Sequence, residues 1–239
     1  MPTPSPLVIA LFVVSHSSES AIEGLETIGR IQGDEFWHHV GKENGGCVSP
    51  SSSSWKPLLR KALDSNAHLK HSVFFQLATI GANGRPSNRT VVFRGFQENG
   101  DKIQINTDVR SNKIEEIKHC PFGEICWYFT DSWEQFRING TIDFIDGSNS
   151  DPAKLQQREK AWFMSSLKSR MQYLGPAPGI PVIDEGTAKE NHLDPTAGPV
   201  DAFCLLVFDP EQVDYLNLKS NERLMFRSRQ SSDGGKGWI

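Results

Sequence analysis

The chain has 239 residues, 37% hydrophobic and 23% charged, enough for one large domain or two small ones and unlike a fibrous, collagenous or wholly disordered sequence. Its longest apolar stretch, Leu7 to Val14, has eight residues, whereas a membrane-spanning helix needs about 20, so no helical span is expected. The net charge of −4 sits in residues 1–54, which hold six acids and two bases, leaving 23 of each in residues 55–239; so balanced a body has no overall attraction for nucleic acid or anionic lipid.

Residues 1–54 differ from the rest. An apolar run with no preceding Lys or Arg gives way to small polar and acidic residues and ends in Ser49-Pro50 and the serines Ser51 to Ser54. A secretory signal starts basic and an organellar presequence is poor in acids. The segment therefore reads as a disordered or loosely attached extension, with an organellar targeting peptide as the alternative, in front of one domain over residues 55–239. Cys47, Cys120, Cys126 and Cys204 form no C-x-x-C pair, which points to buried thiols in a reducing, cytoplasmic setting rather than to disulfides or structural zinc. The histidines, His38-His39 included, show no ligand spacing, so no metal site is expected.

From Trp55 the pattern sharpens. Pro57 suits a first helical turn, and Leu58, Leu59, Ala62 and Leu63 fall on one side of a short amphipathic helix. Runs rich in Val, Ile, Phe and Thr then predict strands over 73–80, 88–96, 102–106, 124–130 and 136–145. Turns at Gly81 to Arg85 and Glu98 to Asp101 join the first three as hairpins, the second containing Asn99-Gly100, the favoured type I′ pair. Asn112 to His119 reads as a helix that Ser111 caps and Pro121 stops. A longer helix is expected from Asp151-Pro152 toward Met171, with Trp162, Phe163 and Leu167 on its apolar side. Leu174 to Val200 is rich in Pro and Gly and lacks periodicity, as a lid or mobile loop would. Strands resume at 202–208, 213–218 and 223–229, and after a turn through Asp233-Gly234-Gly235 the chain stops where another strand could begin, as a truncated one would. About eight short, mostly hairpin-linked strands with a few outer helices predict a mainly β protein, an antiparallel closed or split barrel. No G-x-G-x-x-G follows a predicted strand and no G-x-x-x-x-G-K-[ST] occurs, which argues against Rossmann and P-loop sites.

Three segments could carry chemistry. In Asn106 to Lys113 a strand end, a polar turn and a helix start follow one another. The hydroxyls of Thr107 and Ser111, the free N–H groups of a first helical turn and the Lys113 ammonium can converge there on one dianion, although an ordinary cap beside a solvated lysine would look the same. In Arg89 to Gly95 two guanidiniums sit in a strand, where residues five apart face opposite sides; two exposed arginines would also explain it. In Trp133 to Gly140, Gln135 at a strand start could hydrogen-bond a heterocycle edge, or simply lie on a surface strand.

In order and spacing these segments resemble the pyridoxamine 5′-phosphate oxidase family, flavoproteins with an FMN-binding split barrel that assemble as homodimers. The family pattern has an arginine-led strand R-x-V-x-x-K, a strand ending in Thr, a Ser-Arg-Lys step into a helix and a later glutamine, which fall here on Arg89 to Arg94, Thr107, Ser111-Asn112-Lys113 and Gln135. The resemblance implies that Arg89, Val91, Val92, Thr107, Ser111, Lys113, Gln135 and Arg227 hold FMN, and that Arg94 and Arg223 bind a phosphorylated small-molecule substrate. Asn112 replaces the family's arginine, a loss of charge for which Arg94 and Arg110 could compensate. Toward the C-terminus the family's V-E-F-W and R-L-H-D-R read Val213 to Leu216 and Arg223 to Arg227, so Leu216 stands for a flavin-contacting tryptophan and Met225 for a substrate-site histidine. A thioether cannot exchange a proton as imidazole does. The expected activity is oxidation of pyridoxamine or pyridoxine 5′-phosphate with oxygen, the alternative being an FMN-binding dimer that lacks it and acts as carrier, sensor or regulator.

Overall fold

The computed structural model describes residues 54–180, 193–230 and 236–239. All of the expected extension but Ser54, with His38, His39 and Cys47, lies outside the described residues, as do the turn at Asp233 and the middle of the Pro- and Gly-rich stretch. Among the described residues no helix is long and apolar enough to cross a membrane.

The first helix, α1 (Lys56–Ser65), carries Pro57 in its opening turn and buries Leu59, Ala62 and Leu63, as its spacing requires. Strands β1 (Phe74–Ile80) and β2 (Pro86–Val92) form a hairpin registered from Phe74 opposite Val92 to Ile80 opposite Pro86. β2 ends earlier than the sequence pattern suggests because the chain changes partner. The Phe93 N–H still donates to the Val73 carbonyl across β1 (2.8 Å), but the Arg94 N–H donates to Gln104 (3.0 Å) and Gly95 accepts from the Gln104 N–H (2.9 Å). Gly95 makes the switch at φ 119°, a conformation open to glycine and strained for other residues. The turn before β3 (Ile103–Asp108) is not type I′: Asn99 has φ 54° but Gly100 stays outside the positive region, where that turn needs both residues.

Helix α2 (Asn112–His119) buries Ile114 and Ile117 against β1 and β5. Strands β4 (Phe122–Phe129) and β5 (Glu134–Ile145) follow, then α3 (Pro152–Phe163), whose first turn is capped by the Asp151 carboxylate accepting from the Ala153 N–H. The expected single helix through Met171 is two: the chain breaks at Met164 to Ser166, and Ser166 caps a short α4 (Leu167–Met171). The break rotates the apolar residues apart, so Trp162 is buried while Phe163 and Leu167 are 45% and 36% exposed.

The two strands expected around Pro210 are one, β6 (Phe203–Asn217), followed by β7 (Glu222–Gln230) and β8 (Lys236–Trp238). Pro210 is tolerated because it lies opposite Gly140 at a bulge, where the β5–β6 register shifts between Asn139 and Gly140 and a ladder N–H is dispensable. The strand order is β2-β1-β4-β5-β6-β7-β8, antiparallel throughout, with β3 also on β6. The bonds from Arg94 and Gly95 to Gln104 join the end of β2 to β3 and close the ring β1-β2-β3-β6-β5-β4. The first half of β6 pairs with β3 and the second half with β7, and that exchange splits the barrel.

Inside the barrel Phe75, Leu77, Ile103, Ile105, Trp127 and Phe136 are fully buried, with Trp55 of the α1 entry sealing one end against Phe96 and Trp238. Residues 203–208 are buried on both faces: Cys204, Leu206 and Phe208 join the barrel core, and Phe203, Leu205 and Val207 lie under Ala161 and Trp162 of α3. Of the cysteines expected to be buried, Cys204 is, whereas Cys120 and Cys126 are half-buried.

Candidate functional site

The end of β3, the turn after it and the first turn of α2 put Thr107, Ser111 and Lys113 together. The Lys113 ammonium donates to the Thr107 hydroxyl (2.8 Å) and the Ser111 hydroxyl (2.9 Å), both on buried residues. Ser111 occupies the N-cap position of α2, yet its hydroxyl donates to the Asp108 carbonyl (2.7 Å) and does not cap the helix. The sequence suggests a side-chain cap; in the structure the Ser111 side chain accepts from no first-turn N–H group, and the Ile114 N–H donates to the Ser111 carbonyl instead (3.0 Å). Burial, followed by the charge of Arg89, holds the Lys113 pKa below its ordinary value, against opposing pulls from Asp108 and Glu116.

Arg89 reaches this pocket from β2, lying opposite Leu77 on the barrel side of the hairpin. Its guanidinium donates to the Glu116 carboxylate (2.6 Å), to the Thr79 hydroxyl and to the Leu77 carbonyl (3.3 Å). Glu116 also accepts from Thr79 (2.5 Å), and although burial pushes its pKa up, these bonds and the Arg89 charge hold it below the ordinary carboxylate value. Glu116 and Thr79 anchor one cation of the pocket, and neither was legible as part of it: Glu116 lies one helical turn past Lys113, and Thr79 comes from another strand.

The donor set fits a phosphate monoester. Two cations converge, and among the described residues only one of them is paired with a carboxylate; two hydroxyls and the amides of the first helical turn complete the set. Val91 packs on the barrel core, and Val92, half-buried, follows it at the end of β2.

The other expected residues lie elsewhere. Asn112 is exposed. Arg110 does not supply the missing charge: its guanidinium is committed to Asp108, with Nε to Oδ1 at 2.9 Å and Nη2 to Oδ2 at 2.7 Å. Arg94 is desolvated beside Tyr173; burial lowers its pKa and pushes the Tyr173 phenol up to about 12. Gln135, Arg223 and Arg227 share the outer face of the sheet with Leu216 and Met225. Tyr128, Gln135, Leu216 and Arg223 form one cross-strand row, and Cys126, Arg137, Asp214 and Met225 the next. Arg223 is gripped by Asp214 through Nε (2.9 Å) and Nη2 (2.8 Å), and Arg137 pairs with Glu124 and, at 3.9 Å, with Asp214. Arg227 borders a shallow hollow of about 750 Å³ with Asn139, Glu211 and Gln212. Gln76 lies opposite Cys126, so the Gln135 row and the Thr79 end of β1 are about five residues apart along the strands, roughly 17 Å.

Residues 52–146 match the model of the pyridoxamine 5′-phosphate oxidase, FMN-binding domain. The chain is 63% identical over 184 residues to pyridoxine/pyridoxamine 5′-phosphate oxidase 2 of Arabidopsis thaliana, covering 77% of this chain and 93% of that protein. Among solved structures, a pyridoxamine 5′-phosphate oxidase-related, FMN-binding protein of Nostoc punctiforme superposes with a TM-score of 0.71 at 36% identity, covering 81% of this chain and 98% of that one. PhzG of Burkholderia lata shares the fold at a TM-score of 0.57 and 15% identity, over 82% and 99% of the two chains. With the phosphate-type pocket at the β3–α2 turn and a split antiparallel barrel around it, the chain belongs to the pyridoxamine 5′-phosphate oxidase family and carries that family's FMN-binding domain.

Proposed function

We propose that the protein oxidises pyridoxamine and pyridoxine 5′-phosphate to pyridoxal 5′-phosphate, with FMN as its cofactor and oxygen as the electron acceptor. The observation that carries this is the pocket of Arg89 and Lys113, built for a phosphate dianion, in a chain 63% identical to a protein of that name. Bound FMN supplies the two-electron chemistry. Arg89, Thr107, Ser111 and Lys113 hold its phosphate, backbone groups at Val91 and Val92 steady the ring, and Arg94 takes part in holding the substrate phosphate.

Gln135, Arg223 and Arg227 complete the site from a second copy. They occupy the outer sheet face, which also presents Met225, 46% exposed, whereas Arg89 reaches the phosphate pocket from the barrel side of the sheet. Two copies meeting through this face would bring the partner's Gln135 and the partner's Arg223 to the ring held by this protomer. The test is oxidase activity of the purified protein reconstituted with FMN, read as the absorbance of pyridoxal 5′-phosphate. Turnover is expected, and a fully loaded protein that leaves both substrates untouched ends this reading.

One observation favours a second reading, an FMN-binding dimer without the oxidase reaction. Met225 and Leu216 lie in adjacent cross-strand rows of the outer face, diagonally across β6 and β7, where the family pattern has histidine and tryptophan. Met225→His combined with Leu216→Trp separates the two: activity gained by the double variant from an inactive parent favours the second reading, and an already active parent removes it.

A further inference from the structure

The turn between the cradle residues Thr107 and Lys113 contains an ion pair, Asp108 with Arg110, that is not among the hydrogen bonds joining Lys113 to Thr107 and Ser111. Asp108 Oδ1 accepts from the Arg110 backbone N–H (2.8 Å) and from Nε (2.9 Å), and Oδ2 accepts from Nη2 (2.7 Å). The opposite edge of the same guanidinium leaves the turn. Nη1 donates to the Gly175 carbonyl (3.1 Å) and Nη2 reaches the Tyr173 carbonyl (3.5 Å), more than sixty residues on in sequence. Tyr173 is itself held by its ring, edge-on to Phe203 at 5.0 Å and tilted against Trp162 at 6.0 Å, and its phenol is close enough to Arg94 for the two to influence each other's ionisation.

Asp108 is a poor neighbour for a phosphate. Its side chain is 11% exposed, and its charge acts on Lys113, the ammonium that faces the dianion. A carboxylate at that range opposes an incoming dianion unless a cation cancels it. Arg110 is that cation: burial raises the Asp108 pKa, but hydrogen bonds from Arg110 and the charges of Arg110 and Lys113 outweigh it and keep the group ionised and paired.

We infer that Arg110 is a positioning residue that joins the cofactor-phosphate cradle to the Tyr173–Gly175 segment. One edge of its guanidinium neutralises Asp108 beside Lys113 and the other docks the segment's carbonyls, so cofactor retention and segment docking depend on the same side chain. The inference rests on the cradle holding the FMN phosphate. Its consequence is that the segment next to Arg94, on the substrate side, is tied to the turn that grips the cofactor.

The test uses the full chain. FMN and riboflavin, which lacks the phosphate, are titrated by flavin fluorescence, and the FMN-loaded protein is digested briefly with chymotrypsin and scored for cleavage after Tyr173 and Leu174. Arg110→Ala should weaken FMN about tenfold and leave riboflavin unchanged, because the uncancelled Asp108 charge acts on the phosphate alone. Adding Asp108→Asn, which keeps the oxygen for the residue 110 N–H, should bring FMN affinity back to within about twofold of the parent. Cleavage should be several-fold faster in Arg110→Ala and equally fast in D108N/R110A, where the carbonyl contacts are still missing. Arg110→Lys retains the charge and guards against misfolding of the alanine variant; it should hold FMN to within about threefold while the segment is cut faster. Unchanged FMN affinity in Arg110→Ala, a loss that Asp108→Asn does not recover, or unchanged cleavage overturns the inference. A parent protein that binds FMN no more tightly than riboflavin overturns the cradle itself, and the inference with it.

Discussion

Lys113 is half-buried and donates to two hydroxyls, with no carboxylate hydrogen-bonded to it among the described residues, so its charge is available to a ligand. That has a pH signature. Burial and Arg89 lower its pKa in the free protein, and a bound dianion must raise it again. Below the free-protein pKa the lysine is already charged and binding takes up no proton. Between the free and bound values one proton enters with the cofactor, so FMN affinity falls about tenfold per pH unit as pH rises through that window. The fall should begin below the ordinary lysine value of 10.5, and Lys113→Met should remove it while weakening FMN about 10- to 100-fold at neutral pH; flavin fluorescence titrations across pH check both. This residue was legible in the sequence because Thr107, Ser111 and Lys113 lie within one turn of chain. The arginines were harder. Arg223 reads as a free substrate contact until β7 folds back and sets it diagonally against Asp214, and Arg110 reads as spare charge until the Asp108 side chain bends round to it. A guanidinium's partner is decided by folding, and only the geometry reveals whether its charge is still available.

At the scale of elements, the decisive join is where β5 crosses β6. A Cβ on Gly140 would stand 2.1 Å from the Asp209 carbonyl oxygen and 2.9 Å from the Phe208 ring, so the two backbones touch there because a side chain is absent. Gly140→Ala must push β6 away at the bulge that lets Pro210 stay in the strand, and should cost about 3 kcal/mol, a fall in Tm of about 6 to 12 °C by thermal unfolding. An unchanged Tm would mean the bulge is freely deformable. Hairpin β1–β2, α2 and the start of α3 follow from local signals: turn residues, Ser111 before a helix, Asp151-Pro152. The errors fall where a local breaker is absorbed by a tertiary partner. Pro210 reads as a strand end but sits at a bulge, and the end of β2 reads as a continuing strand although Gly95 swings it from β1 to β3. The break at Met164 to Ser166 left no comparable signal, since Ser165 and Ser166 are common inside helices as well as between them.

For the whole molecule, the strand count and turn spacing point to a mainly β barrel, whereas the burial of residues 203–208 on both faces emerges only when α3 packs over the barrel. Closure was not legible, because β3 meets β6 across about one hundred residues of chain and no local pattern encodes such a pairing. The split that follows separates two surfaces: an inner end, where α2 and the β1–β2 hairpin bring together Lys113 and Arg89, the proposed phosphate cradle, and an outer sheet face carrying Gln135, Arg223 and Met225. The measurement that tests the central claim most directly is the ratio of FMN to riboflavin affinity, since the two ligands differ only in the phosphate. The parent protein should prefer FMN by about 100-fold or more, and S111A/K113M should reduce that preference to near unity while riboflavin binding is unchanged. A double variant that keeps the full preference would place the phosphate somewhere other than the turn from β3 into α2.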